Sequence, residues 1–310
     1  MFRRSATRKE AHSDSIWTVA WGPSSHIISG AVDGTVKRWE HQEGIAAENE
    51  EVKSAETITQ ANTFDGHQLG VVSAALHPGG NILATTCVDC RIRIFDLQEC
   101  TLTKEIDAGA VESWTASFSG LFPHLATGSQ SGAVNIFNYE SGEKIKALNT
   151  NGGFVLSVAF SPDGQSIAAG CNDGMVNVFD YESGKQIMKH TTSHTMPVRS
   201  VAFSKDGTLL LTASDDKHVN IYDPRQGQVV ASLAGHSSWV LSVSMSPDGK
   251  GFATGSADNK IKIWDLGLRR CVHTFDDHAD QVNQVAYNES GTRLVSGGDD
   301  GTLNVFQLET

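Results

Sequence analysis

Between Gly235 and Asp265 stand a histidine, a serine and an aspartate, His236, Ser256 and Asp258, with Trp264 closing the stretch. Ser, His and Asp are the residue types of nucleophilic hydrolysis, in which an imidazole takes the hydroxyl proton and a carboxylate orients the imidazole. Repetition argues against that chemistry. His and Asp recur together as His12 and Asp33, His67 and Asp89, His194 and Asp216, His236 and Asp258, and His278 and Asp300; an enzyme has no use for five such sites in one chain. Cys87-Val-Asp-Cys90 is the second candidate, but a single CxxC supplies half the ligands of a structural zinc. Cys87 and Cys171 both stand two before the turn Asp, a slot that is Ser in three other copies, and read as small buried residues. No Walker loop or HExxH appears. The expectation is no catalytic residue, no cofactor and no metal ligand.

The elements that position these residues are short. Trp239 to Met245 reads as a strand, Pro247-Asp248-Gly249 as a tight turn, Phe252 to Ser256 as a second strand, Asp258-Asn259 as a second turn, and Ile261 to Trp264 as a third strand. The unit recurs. Its closing aromatics are Trp39, Phe95, Phe137, Phe179, Tyr222, Trp264 and Phe306, spaced by 56, 42, 42, 43, 42 and 42 residues. Six residues before each stands Asp33, Asp89, Ser131, Asp173, Asp216, Asp258 or Asp300, and the histidine slot holds His12, His67, Gly109, Asn151, His194, His236 and His278. A period near 42 residues with Gly-His and Trp-Asp marks is the signature of a WD-repeat β-propeller, one four-stranded blade per repeat. The expected fold is all-β, a seven-bladed ring spanning residues 1–310 as a single domain. In WD-repeat proteins the repeated polar residues form a buried chain: indole N–H to hydroxyl, hydroxyl to imidazole, imidazole to carboxylate. Such a chain satisfies polar groups and pins one loop to one turn. The resemblance therefore implies a structural network of His236, Ser256, Asp258 and Trp264.

Composition sets the surroundings. A formal charge of −12 argues against a nucleic-acid surface, which needs a basic face. No run reaches the roughly 18 apolar residues of a membrane span, and the basic start MFRRSATRKE lacks the apolar stretch of a secretory signal. Five cysteines, an odd number, fit a reducing compartment better than a disulfide framework. The chain is expected to be intracellular and monomeric on its own.

One spacing is irregular. The excess of about 14 residues after Trp39 (56 against 42) falls in EHQEGIAAENEEVKSAE, residues 40–56, where Glu40, Glu43, Glu48, Glu50, Glu51 and Glu56 stand against Lys53. The tract reads as a solvated acidic loop, or as an acidic docking segment. At the other end, Thr310 follows directly on the third strand of the seventh repeat, which leaves a sheet edge to be covered. Phe2 to Ala11 is expected to supply that outer strand and close the ring.

Aligning the repeats on one another locates a candidate surface. Four positions after the histidine slot stand Ile16, Val71, Ser113, Val155, Val198, Val240 and Val282; seven after, Val19, Ala74, Ala116, Val158, Val201, Val243 and Val285; nine after, Trp21, Leu76, Phe118, Phe160, Phe203, Met245 and Tyr287. These are expected to be core between blades. The step from the fourth to the seventh is odd, so the strand must bulge at its entrance. The fifth position falls in that bulge and reads Trp17, Val72, Trp114, Leu156, Arg199, Leu241 and Asn283. A slot that accepts Trp, Arg and Asn is not filling one core shape and should face the central opening, with Phe154 and Trp239 beside it. Trp17, Trp114, Phe154, Leu156, Trp239 and Leu241 would then form an exposed apolar patch flanked by Arg199, as a protein-binding surface does. A reader of modified lysine is the alternative, its cage supplied by Trp17, Trp114 and Trp239.

Several strings resemble a narrower family: AHSDSIWTVAWG, FDGHQLGVVS, IDAGAVESW, GHSSWVLSV and RRCVHTFDDHADQV. They are similar to the WD-repeat subunits of the Ski (superkiller) complex, which in animals also belong to the polymerase-associated factor complex. The similarity spans nearly the whole chain and includes the missing histidine in repeats three and four; the acidic insertion and the polar start depart from the family. The resemblance implies a non-catalytic scaffold in nucleus and cytoplasm, without direct nucleic-acid or membrane contact. Its implied partners are a helical-repeat Ski subunit, an RNA helicase subunit and polymerase-associated factor subunits. The cytoplasmic assembly assists exosome-driven 3′–5′ mRNA decay, and the nuclear one accompanies RNA polymerase II. The family binds partner peptides on the propeller face, which coincides with the patch above.

Overall fold

In the computed structural model, the residues described are 2–22, 26–42, 56–109, 113–190 and 194–308. Blade six shows how the local sequence becomes a blade. Its strands run Val240–Met245, Gly251–Ser256, Ile261–Asp265 and Arg270–Phe275, each antiparallel to the one before. Asp248 accepts from Ser246 Oγ and Lys250 N in the first turn, and Asp258 accepts from Lys260 N in the second. Short polar side chains bonding to nearby backbone make these turns local decisions. Among the described residues there are seven such four-stranded sheets and no helix.

The ring closes by joining its ends. Blade seven has the order Val282–Tyr287, Arg293–Gly298, Leu303–Leu308 and then Phe2–Arg8, which pairs from Phe2 with Leu308 to Arg8 with Leu303. The expected closing segment therefore ends at Arg8. Ala11, beyond it, is buried and bonds through its N–H to Gly301 O.

Neighbouring blades pack through the columns found in the sequence. The fourth-position residues Ile16, Val71, Ser113, Val155, Val198, Val240 and Val282 are all buried. Ile16, Val71, Val155, Val198 and Val282 lean on a glycine of the preceding blade's second strand; a Cβ at Gly30 would sit 2.7 Å from Val71 Cγ1, so glycine makes the room. The bulge occurs where it was expected: pairing slips between Ile16 and Thr18, Val71 and Ser73, Val155 and Ser157, Val198 and Ser200, Val240 and Ser242, and Val282 and Gln284. The residue left unpaired is the fifth-position one each time.

Inner strands have a free edge toward the channel, and side chains of the preceding blade cover it. Ala74 N donates to Thr18 Oγ1 at 3.0 Å, Ala116 N to Ser73 Oγ at 3.3 Å, Val243 N to Ser200 Oγ at 3.3 Å and Val285 N to Ser242 Oγ at 3.1 Å. An amide that would otherwise be orphaned is satisfied across each of these seams. The ninth-position column is less uniform than expected. Trp21 packs edge-on to His41 but is only half-buried; Trp39 is the fully buried indole of blade one.

Candidate functional site

The polar network of blade six is buried and satisfied, but its hydroxyl is not Ser256. His236 Nε2 and Thr254 Oγ1 are 2.7 Å apart, Trp264 Nε1 donates to the same Oγ1 at 2.9 Å, and His236 Nδ1 meets Asp258 Oδ2 at 2.9 Å. Ser256 instead accepts from Asp258 N at 3.1 Å. The reason is reach. Trp264 pairs with Phe252 and stacks on it, so its indole arrives beside Thr254; Ser256 lies two residues, about 7 Å, further along the strand. Blade one repeats the pattern with Ser29 between His12 and Trp39. Blades five and seven pair His194 with Asp216 and His278 with Asp300.

Blade two departs from the expected chain. Arg93, almost fully buried, inserts its guanidinium between His67 and Asp89, 3.0 Å from His67 Nδ1 and 2.8 Å from Asp89 Oδ2. Phe95 offers no indole N–H, and an arginine two residues earlier takes the central space. Burial, aided by the Arg93 charge, lowers the His67 pKa to about 4. Burial likewise lowers His12 to about 4 against the opposing pull of Asp33. Asp33 itself falls to about 2: burial pushes it up, but bonds from Thr35 and Ser13 and the His12 charge outweigh that.

These groups are engaged with one another inside the fold. In blades one, five, six and seven the imidazole contacts a hydroxyl and a carboxylate inside the fold, with its side chain wholly covered. His67, Cys87 and Asp89 cluster closely enough to be considered as ligands. Yet both His67 nitrogens are engaged, by Thr85 and Arg93, and the guanidinium stands where a cation would have to sit. Cys87 is buried with its thiol on Leu69 O, and burial raises its pKa.

The fifth-position residues converge. Trp17, Val72, Trp114, Leu156, Arg199, Leu241 and Asn283 line one cavity of about 660 Å³ along the channel, joined by Trp239. Phe154 does not line it; its ring packs edge-on against Trp114 with centroids 5.2 Å apart. The expected exposed patch is recessed. Trp239 is 45% exposed, Trp17, Trp114, Phe154 and Leu241 are half-buried, and Leu156 is 9% exposed. Arg199 forks onto the buried Asp215, with Nε and Nη2 at 2.9 and 2.7 Å, and lies over the Trp239 ring at 5.9 Å. Its charge is already matched, so the cavity offers no free cation cluster of the kind phosphate recognition uses.

The acidic tract is shorter than its sequence reading. Glu40 and Gln42 belong to the strand Val36–Gln42, pairing with Thr59 and Thr57. Residues 43–55 of the expected loop lie outside the described residues. Glu56 is not solvated: it meets His41 Nε2 and Arg293 Nη2 at 3.0 and 2.9 Å, its side chain 10% exposed. Burial pushes its carboxyl up, but bonds from Ser5 and His41 and the Arg293 charge bring it below the ordinary range.

A sequence signal for the true hydroxyl exists. Four before the turn Asp or Ser stand Ser29, Thr85, Thr127, Thr212, Thr254 and Ser296, with Ala169 in blade four, one of the two blades without the histidine. The column two before is far more mixed. Arg93 and Glu56 carried no comparable signal, since each occurs in a single blade.

The comparisons follow the same lines. The family described as WD domain, G-beta repeat matches residues 4–40, 58–96, 227–265 and 269–307. Each match begins at or one residue before an outer strand and ends on the third strand of the next blade, and the first of them begins on the ring-closing strand. A second family, described as Nucleolar protein 10-like, N-terminal domain, matches residues 95–239. Among curated proteins the chain is 36% identical over 169 residues to the WD repeat-containing protein SL1-17 of Schistosoma mansoni, covering 53% of this chain and 52% of that one. It is 34% identical over 176 residues to the WD repeat-containing protein VIP3 of Arabidopsis thaliana, covering 51% and 50%. It is 35% identical over 99 residues to Superkiller complex protein 8 of Dictyostelium discoideum, covering 32% and 29%. The matched stretches thus span about half the length, or less, of these relatives.

Proposed function

We propose that this chain, a WD-repeat protein, is a non-catalytic scaffold that holds a partner segment at the mouth of its channel. The reading rests on one observation above others. The seven fifth-position side chains, six of them left unpaired by a bulge, converge on one cavity, with Trp239 exposed at its rim and Arg199 already neutralised by Asp215. An aromatic set in a recess with a satisfied polar neighbour is the anatomy of a binding hot spot.

The resemblance to Ski-complex WD subunits, and the similarity to a protein named for the superkiller complex, support a narrower proposal. The chain would be a subunit of a Ski assembly and of the polymerase-associated factor assembly, acting in cytoplasm and nucleus. Its proposed partners are a helical-repeat subunit, an RNA helicase subunit and polymerase-associated factor subunits, without direct contact to nucleic acid or membrane. Affinity purification of the wild-type chain and of Trp239→Ala, followed by mass spectrometry, tests both levels. Recovery of Ski or polymerase-associated factor subunits by the wild type and their loss from the variant is expected. Equal recovery by both chains removes the channel mouth as the site; recovery of unrelated proteins removes the complex assignment. A methylated-histone peptide array on the same proteins addresses the reader alternative, which predicts methylation-dependent capture.

A further inference from the structure

Blade four holds Asn151 where five other blades hold histidine, and the sequence continues Gly152-Gly153. This is the chain's only Asn-Gly pair. The neighbouring side chains explain why the asparagine is idle. The hydroxyl that a histidine would bond is absent here, since Ala169 occupies that column. Asn151 is exposed, and its side-chain amide makes no hydrogen bond among the described residues; only its backbone N–H is held, by Asn149 Oδ1 at 2.7 Å. The histidines of the same slot in blades one, five, six and seven are buried.

The glycines after it are fixed by the fold. A Cβ at position 153 would lie 2.0 Å from Asn172 Oδ1, and one at 152 would lie 3.0 Å from Asp173 Oδ2. Gly153 N donates to that carboxylate at 2.9 Å, as Ser237 N does to Asp258 in blade six. The loop therefore keeps its shape while presenting an unbonded carboxamide next to a residue without a side chain, the arrangement that leaves the following amide nitrogen least hindered. Asn172, Asn259 and Asn283 are followed by Asp173, Lys260 and Gln284, whose side chains obstruct the same approach.

We propose that Asn151 is a self-modification site that deamidates through a succinimide. The Gly152 nitrogen, held only by a 3.2 Å bond to Thr150 Oγ1, loses its proton to solvent base and attacks Asn151 Cγ. A C–N bond forms, and the side-chain nitrogen leaves with a proton as ammonia. Water then opens the ring at either carbonyl, giving aspartate or isoaspartate, so that the net change is water consumed and ammonia released, with no oxidant or reductant. The product carries a new negative charge beside Asp173. In the isoaspartyl form the main chain runs through the former side-chain carbon. That lengthens the connection from blade three's outer strand, Lys144–Asn149, to blade four's inner strand, Val155–Phe160, the connection that carries Phe154 against Trp114.

The test incubates the full chain in mildly alkaline buffer at physiological temperature and follows charge by ion exchange, ammonia release, and site by peptide mass spectrometry in heavy-oxygen water. Expected is an acidic shift of one charge, with heavy oxygen entering at residue 151 before any other asparagine, and loss of the shift in Asn151→Gln. The wild-type measurement needs no variant to fold. The idea is overturned if Asn151 stays intact while a free peptide spanning residues 149–154 converts, or if another asparagine of the folded chain converts first. The modification stands or falls independently of which partner the channel mouth takes.

Discussion

Arg293 Nη2 donates to Glu56 at 2.9 Å across the seam between blades seven and one, joining residues 237 apart in the chain. Arg293 is 9% exposed and has drawn an acidic residue out of an otherwise charge-rich tract. Removing one partner of a buried pair strands the other charge, at about 3–5 kcal/mol. Glu56→Ala is expected to lower the unfolding free energy by that order, whereas Glu40→Ala, at an exposed position, should leave it nearly unchanged. Chemical denaturation of both variants checks this, and equal, small losses would mean the seam does not depend on the pair.

The same seam depends on Phe2–Arg8. Deleting residues 2–8 bares the edge of Leu303–Leu308, and exposed edges recruit other chains. A lower melting temperature together with concentration-dependent association is expected in light scattering. An unchanged melt with a monomeric deletion variant would contradict the closure role.

Thr254, not Ser256, is the node of blade six. Thr254→Val keeps the shape but leaves the Trp264 indole N–H and His236 Nε2 without their shared partner, a loss of about 1–3 kcal/mol. Ser256→Ala gives up one backbone contact and should lose about 1 kcal/mol or less. His236→Ala and Thr254→Val should be non-additive, since they break one network. Additive losses in a double-mutant cycle would uncouple the two residues.

Acid should unfold the protein in two stages. His12 titrates at about 4 in the fold against an ordinary 6.5, so in this interval the unfolded chain binds the proton first. Stability is therefore whole above 6.5, declines as pH falls toward 4 and gains no further loss from this group below that. With its side chain wholly covered, the group contributes about 3 kcal/mol; His67 acts in the same direction. Asp33, lowered from 3.8 to about 2, acts in the same direction at lower pH: its contribution is present above 3.8 and disappears as pH drops to about 2. Denaturation midpoints across these pH values should show a shallower first stage in His12→Gln. A flat wild-type profile between 6.5 and 4 would contradict the burial argument.

At the channel mouth the expected behaviour splits by exposure. Trp239→Ala, at a position 45% exposed, should barely move the melt yet weaken partner binding by about 2 kcal/mol or more, roughly thirtyfold. Trp114→Ala should also cost stability of about 0.5–1.5 kcal/mol through its lost edge contact with Phe154. Trp39→Ala, at a fully buried position, should cost about 3–5 kcal/mol. Paired melts and pull-downs separate the three; normal binding by Trp239→Ala would move attention to another surface.

What the sequence determined by itself is whatever is repeated. The period, the blade count, the buried column at Ile16, Val71 and Val155, and the bulge that frees Trp17, Leu156 and Arg199 all follow from local alternation and turn chemistry. Such features recur from blade to blade and are legible because an error in one copy is corrected by the others. The hydroxyl column of Ser29, Thr85 and Thr254 was equally present; choosing it over Ser256 needed the direction in which the Trp264 indole extends, and only the packing of Phe252 sets that. Tertiary structure alone decided the rest. Arg93 displaces the direct His67–Asp89 contact because a buried cation takes the nearest carboxylate and imidazole. Leu156 is buried although its slot opens on the channel cavity. Glu56 leaves solvent for Arg293 because ring closure brings the two ends of the sheet series together, and no local pattern encodes which charges will meet at that seam.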